Sequence, residues 1–136
     1  MSHVYCPECG FQSPAAVNYC ARCGALLSNT LPARGLFHDH PFGLGITGSY
    51  FTALGREMYE SADVVLAVGT SLSYYVGGGH FWPKAYKIQL DDAPRGLRDG
   101  LKAADLYVKS DARIGVEAML AGLDKKLGAG KPTAAA

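Results

Sequence analysis

Asp63-Val64-Val65-Leu66-Ala67-Val68-Gly69 decides the fold class: a continuous apolar run, without alternation, closed by a glycine. Such a run suits a parallel strand covered on both faces, and it predicts a central place in the sheet. Tyr86-Lys87-Ile88-Gln89-Leu90-Asp91 and Asp105-Leu106-Tyr107-Val108-Lys109-Ser110 follow as further strands. Both alternate more, as expected toward a sheet edge. Helical patterns lie around them. Tyr50, Leu54 and Met58 fall at intervals of four, one helix face just before the first strand. Val116, Met119, Leu120, Leu123 and Leu127 make a second apolar face, with Asp111 as its N-cap. Pro94 to Ala104 is expected to hold a short helical turn. This order of elements predicts a parallel sheet with right-handed crossovers. Such a sheet is only half of a doubly wound one, and strand 63–69 has nothing on its outer side. An uncovered edge is a liability. A partner chain, a homodimer contact or a further stretch of sequence is expected there.

The cysteines set off the other end of the chain. Cys6-Pro7-Glu8-Cys9-Gly10 and Cys20-Ala21-Arg22-Cys23-Gly24 are two short hooks separated by ten residues. Two residues between paired cysteines let both sulfurs turn toward one point, and four thiolates complete a tetrahedral zinc site. Glycine after each second cysteine tolerates the positive φ of such a turn. Disulfides suit this chain less well, because the N-terminus lacks the basic and apolar regions of a secretory signal and the cytosol is reducing. Thioredoxin-like redox chemistry would need the motif to open a helix after a strand. Structural zinc held by Cys6, Cys9, Cys20 and Cys23 is the favoured reading, replacing a core that so short a segment cannot build. The hooks resemble the zinc ribbons found at the termini of many bacterial proteins, which implies an interaction or stabilising module.

The boundaries follow: a zinc ribbon over 1–27, a linker over 28–34 (Ser-Asn-Thr-Leu-Pro-Ala-Arg), an α/β unit over 35–127, and a flexible tail over 128–136. The fold class is therefore α/β: a small zinc ribbon followed by a partial, Rossmann-like three-layer domain with a parallel sheet. With 49% apolar and 18% charged residues the 136-residue chain can build a core. Thirteen basic and twelve acidic side chains give a formal charge of +1, which offers no broad basic face for nucleic acid. No apolar run approaches the roughly 20 residues of a membrane span. A soluble, cytoplasmic protein is expected.

Five stretches in order carry a family resemblance: Leu31-Pro32-Ala33-Arg34-Gly35-Leu36-Phe37; His38-Asp39-His40-Pro41; Ala62 through Ser73; Lys87-Ile88-Gln89-Leu90-Asp91-Asp92; and Ala104-Asp105-Leu106-Tyr107-Val108. Together, from about Leu31 to Leu123, they resemble the central domain of thiamine pyrophosphate-dependent enzymes of the acetolactate synthase and benzoylformate decarboxylase group. The resemblance implies a Rossmann-like domain with strand order 3-2-1-4-5-6, of which this chain carries 4-5-6, the zinc ribbon standing in place of strands 1 to 3. It implies thiamine pyrophosphate and magnesium by family association. In complete members, however, a Gly-Asp-Gly motif and an activating glutamate lie in separate domains, and this sequence has no Gly-Asp-Gly. The chain alone is expected not to catalyse thiamine chemistry. It is expected to act as a structural or docking part, either as a homo-oligomer or with the missing thiamine-enzyme domains on another chain.

Some central domains of the family bind FAD. Gly69-Thr70-Ser71, where a strand ends and N–H groups come free, is the candidate phosphate contact, and Asp91 the candidate ribose contact. Gly77-Gly78-Gly79 would allow close backbone approach. The plainer reading is favoured because half the nucleotide crevice is missing: Gly69 ends a strand and Thr70 or Ser71 caps a turn. His38, Asp39, His40 and His80 are expected in loop hydrogen bonds rather than catalysis. Tyr74, Tyr75, Phe81 and Trp82 are expected to cover the sheet or a partner. Two alternatives remain. A sirtuin-type NAD-dependent enzyme would share Gly69-Thr70-Ser71-Leu72 and a four-cysteine zinc module, although its catalytic histidine segment has no counterpart here. A plain zinc-ribbon adaptor would use the second half only as scaffold.

Overall fold

A computed structural model describes residues 3–5, 12–14, 25–40, 42–73, 76, 82–93, 97–98 and 101–127. Its centre is a three-stranded parallel sheet of β5 (Val64–Val68), β6 (Tyr86–Asp91) and β9 (Leu106–Lys109), in that spatial order. The three strands fall where the sequence puts them. Their order is the expected 4-5-6, but the places of the first two differ from the hydropathy reading. Among the described residues the apolar run 64–68 is an edge strand rather than a central one, and the more polar β6 is the middle one. The physical reason is visible in β6 itself: Leu90 and Gln89 are both fully buried, and Gln89 donates from Nε2 to Thr70 O at 2.7 Å while its Oε1 is buried without a hydrogen-bond partner among the described residues. Alternation there reflects a hydrogen-bonded polar side chain inside the domain, not an exposed face.

Directly paired residues share a face. The register Val64↔Tyr86, Leu66↔Ile88 and Val68↔Leu90, continued by Ile88↔Leu106 and Leu90↔Val108, makes one face wholly apolar. The other face carries Val65 and Ala67, which join a core with Met58, Tyr59, Leu72, Trp82, Ala85, Ala103 and Ala104. Tyr59 and Trp82 meet edge-to-face at 5.9 Å, so Trp82 covers the sheet as expected, while Tyr74, Tyr75 and Phe81 lie outside the described residues. Helix α1 (Ala53–Ser61) supplies Met58 and Tyr59 to this core. Thr52 is its N-cap, accepting the Gly55 N–H at 3.1 Å, and Tyr50 stands outside the helix, exposed.

Helix α2 (Ala112–Leu127) lies on the apolar face. Asp111 caps it as the sequence predicts, its Oδ1 accepting the N–H groups of Arg113 and Ile114 at 3.0 and 3.1 Å. The helix reaches the sheet at Gly115, where even a methyl group would stand 2.5 Å from Leu90 Cδ1. A glycine is required for that approach. Val116 and Met119 are half-buried, but Leu120 and Leu123 stay exposed, so only the first part of the apolar stripe is covered.

Three expectations are corrected. Segment 28–34 is more than a linker: it contains the end of β3 (Leu27–Asn29) and a 3-10 turn at Leu31–Ala33. Strand β3 pairs in parallel with β4 (Gly43–Ile46), so a parallel pair precedes α1 where the expectation had no strand at all. Both strands are short, and β4 alternates glycine with an apolar residue, which hides the usual strand pattern. Lastly, 94–104 holds β7 (Leu97–Arg98) and β8 (Leu101–Lys102), an antiparallel pair rather than a helical turn. Asp99-Gly100 between them is the sequence signature of a two-residue hairpin. At the N-terminus, β1 (His3–Tyr5) pairs antiparallel with β2 (Gln12–Pro14). All four cysteines, like the tail 128–136, lie outside the described residues.

Candidate functional site

Parallel strands in one domain end on one side, and their C-terminal turns build a crevice. Here the turns after β5, β6 and β9, with the turn after β3, line a cleft of ≈ 530 Å³. The site residues expected from the sequence, Gly69, Thr70, Ser71 and Asp91, all line it. Thr30, Asp92 and Asp111 line it too, and the sequence reading had not placed them there. Each follows the end of a strand, which is the signal that finds them.

Backbone geometry tempers the anion reading. Gly69 has a φ of 61°, so glycine is needed to turn the chain off β5, but its N–H is already donated to Leu90 O at 2.9 Å. That donor is not free for a phosphate. Asp91 is held in a tight turn, Oδ1 accepting the Ala93 N–H at 3.1 Å, and its carbonyl accepts the Tyr107 hydroxyl at 2.9 Å. Burial first, then the charges of Asp91 and Asp92, push the Tyr107 phenol above its usual range. The phenol therefore stays protonated and keeps donating until well into alkaline solution.

The cleft is acidic. Asp91, Asp92 and Asp111 line it, and none of the described residues that line it is Lys, Arg or His. Asp91 and Asp111 each have one carboxylate oxygen committed to backbone N–H groups. Among the described residues no group of His, Cys, Asp and Glu is arranged to hold a metal ion. The carboxylates among the described lining residues repel the diphosphate of thiamine pyrophosphate, and a nucleotide diphosphate meets the same charges. Hydroxyl-bearing or cationic groups are better matched to this lining. Asp111→Ala is expected to cost about 1 kcal/mol through loss of the α2 cap, read as a lower midpoint in thermal or urea unfolding.

Gly43-Leu44-Gly45-Ile46-Thr47-Gly48 spells the glycine pattern of dinucleotide-binding turns. The structure places it elsewhere: residues 43–46 are β4 itself, not a turn between strand and helix. Gly43 is needed because a Cβ there would collide with the Phe37 carbonyl oxygen. In the neighbouring loop His38 Nε2 and Asp39 Oδ1 are 4.0 Å apart and almost fully exposed, and His40 Nδ1 accepts the Phe42 N–H at 3.1 Å. These are loop contacts, as expected. His80 and Gly77-Gly78-Gly79 lie outside the described residues.

Comparison with known proteins gives a consistent answer. The family described as thiamine pyrophosphate enzyme, central domain, matches residues 12–119. A probable acetolactate synthase large subunit of Methanocaldococcus jannaschii is 32% identical over 97 residues, which cover 69% of this chain and 16% of that protein. The chain thus corresponds to about a sixth of that relative's length. No solved structure matches. The family match begins at residue 12, inside the segment expected as a zinc ribbon, and includes the β3–β4 pair.

Proposed function

The chain belongs to the thiamine pyrophosphate enzyme central-domain family, and from that premise we propose that it is a non-catalytic structural or docking part of a larger thiamine enzyme. The observation that carries this reading is the unfinished sheet. β5 pairs on one edge only among the described residues, and its Val64, Leu66 and Val68 side chains are substantially exposed on a face that a complete domain would cover. The acidic cleft supports it as well. The family match favours this reading over a sirtuin-type enzyme. Among the described residues no helix is long and apolar enough to cross a membrane.

Cys6, Cys9, Cys20 and Cys23 complete the proposal as a structural zinc site. The Cys6–Cys9 hook falls between paired strands β1 and β2, the setting in which a thiolate knuckle closes on a metal. The test of the functional reading is thermal unfolding of the purified chain with thiamine pyrophosphate and magnesium added. No shift in midpoint is expected. A clear rise would show a cofactor site within this chain and contradict the proposal.

A further inference from the structure

We propose that the acidic cleft binds an aliphatic cation carrying two or more ammonium groups. The proposal goes beyond the thiamine reading and stands whether or not that reading holds. Its charge comes from Asp91, Asp92 and Asp111, which line a space of ≈ 530 Å³. Oδ1 of Asp91 and Oδ1 of Asp111 are taken by backbone N–H groups, and no bond among the described residues uses the second oxygen of either. Lys109, opposite Asp91 in the ladder, is exposed and does not line the cleft.

Gln89 adds an independent demand. It shares a face of β6 with Asp91, and Thr70 lies three residues beyond its own register partner, Ala67. To donate from Nε2 to Thr70 O at 2.7 Å, the carboxamide therefore leans along the strand toward the cleft end of the sheet. There its Oε1 is buried and accepts no hydrogen bond from any described residue. A buried acceptor left without a donor is costly. An N–H group entering between Thr70 and Asp91 would answer it.

The lining asks for donors. Carboxylate and amide oxygens only accept, whereas an ammonium group donates three N–H bonds and accepts none. One such group would leave two of the three carboxylates unmatched, so the cation should carry a second. The methylene carbons between them would lie against Pro32, Val76 and Ala112, the apolar part of the same lining. A divalent metal ion is a poorer occupant, because it needs several oxygens converging on one point. The described residues hold no such group.

Isothermal titration of the full chain with 1,4-diaminobutane tests the site, with n-butylammonium as the singly charged comparison. One saturable site is expected, with the monoammonium ion weaker by roughly tenfold or more. Asp111→Asn removes a charge but keeps a side chain that caps helices as well as aspartate does. It should weaken binding roughly tenfold, and so should Asp92→Asn, at an exposed position. Gln89→Met, which keeps the length of the side chain and removes the acceptor, should weaken it too. Circular dichroism checks that each variant folds, and the two aspartate variants carry the test if Gln89→Met does not. Asp39→Asn, fully exposed in the neighbouring loop, should leave binding unchanged.

The proposal is overturned by an absence of saturable binding, or by equal affinity for butylammonium. Equal weakening in Asp39→Asn would also overturn it, since the attraction would then be diffuse. So would stoichiometric binding of magnesium that displaces the diamine and is lost in the same aspartate variants. Cofactor binding or turnover with thiamine pyrophosphate bears only on the functional reading.

Discussion

Leu90→Ala is expected to lower the stability of the domain by about 2–5 kcal/mol, the range for truncating a buried leucine. Leu90 is fully buried on the middle strand, paired with Val68 on one side and Val108 on the other, and it is the side chain on which α2 rests. At ~4–8 °C per kcal/mol for a domain of this size, the loss is easily read in a thermal melt. Gly115 gives the prediction its internal control. Alanine in a helix normally stabilises by about 1 kcal/mol over glycine, but a Cβ at 115 would stand 2.5 and 2.9 Å from the two Leu90 methyl carbons and 3.0 Å from Cγ. Leu90 cannot swing aside, being enclosed, so Gly115→Ala should destabilise instead, by about 1–3 kcal/mol. Gly122→Ala, where a Cβ meets nothing within 4 Å, should show the ordinary stabilisation. In the Leu90→Ala background the penalty at 115 should vanish, because the space has been opened. Additive losses in the double variant would mean that α2 is not seated on Leu90.

Metal removal should have the second large effect. About one zinc ion per chain is expected, and stripping it with a strong chelator should unfold the segment around the cysteine hooks. Apparent binding free energies of structural zinc in short modules are ~10–16 kcal/mol, far more than some two dozen residues gain from a core of their own. Serine at any one of Cys6, Cys9, Cys20 or Cys23 should abolish stoichiometric zinc and leave the remaining thiols titratable. Protein free of zinc, with four reactive thiols and an N-terminus indifferent to chelator, would remove the metal site.

The parallel core was legible because short runs of β-branched and apolar residues mark strands. Val64–Val68 could be read as a strand from composition alone, and Asp111 announced the start of α2 through capping chemistry. Burial along each strand was harder. Continuous apolarity in β5 resembles burial on both faces, yet three of its side chains are exposed. Gln89, polar by composition, is fully buried because its amide holds the Thr70 carbonyl. β3 and β4 escaped notice for a different reason: they are short, and Gly43 and Gly45 interrupt the pattern of β4. The hairpin at 97–102 did have a local signal, Asp99-Gly100, but the surrounding residues lack the alternation that normally supports it.

The site was legible in part. Gly69, Thr70, Ser71 and Asp91 are neighbours of strand ends, so the sequence could gather them. That Asp92 and Asp111 join them depends on how the turns after adjacent strands converge, which only the assembled sheet reveals. The acidity that results changes the chemistry of the cleft. It sets the lining against phosphate, although the backbone pattern alone invites it.

The most direct test is turnover. The purified 136-residue chain, supplied with thiamine pyrophosphate, magnesium and a 2-oxo acid such as pyruvate, should release no carbon dioxide above the rate of a protein-free control. Sustained decarboxylation by this polypeptide alone would contradict the account, because it would require the chain itself to hold and activate a cofactor for which its cleft carries the wrong charge.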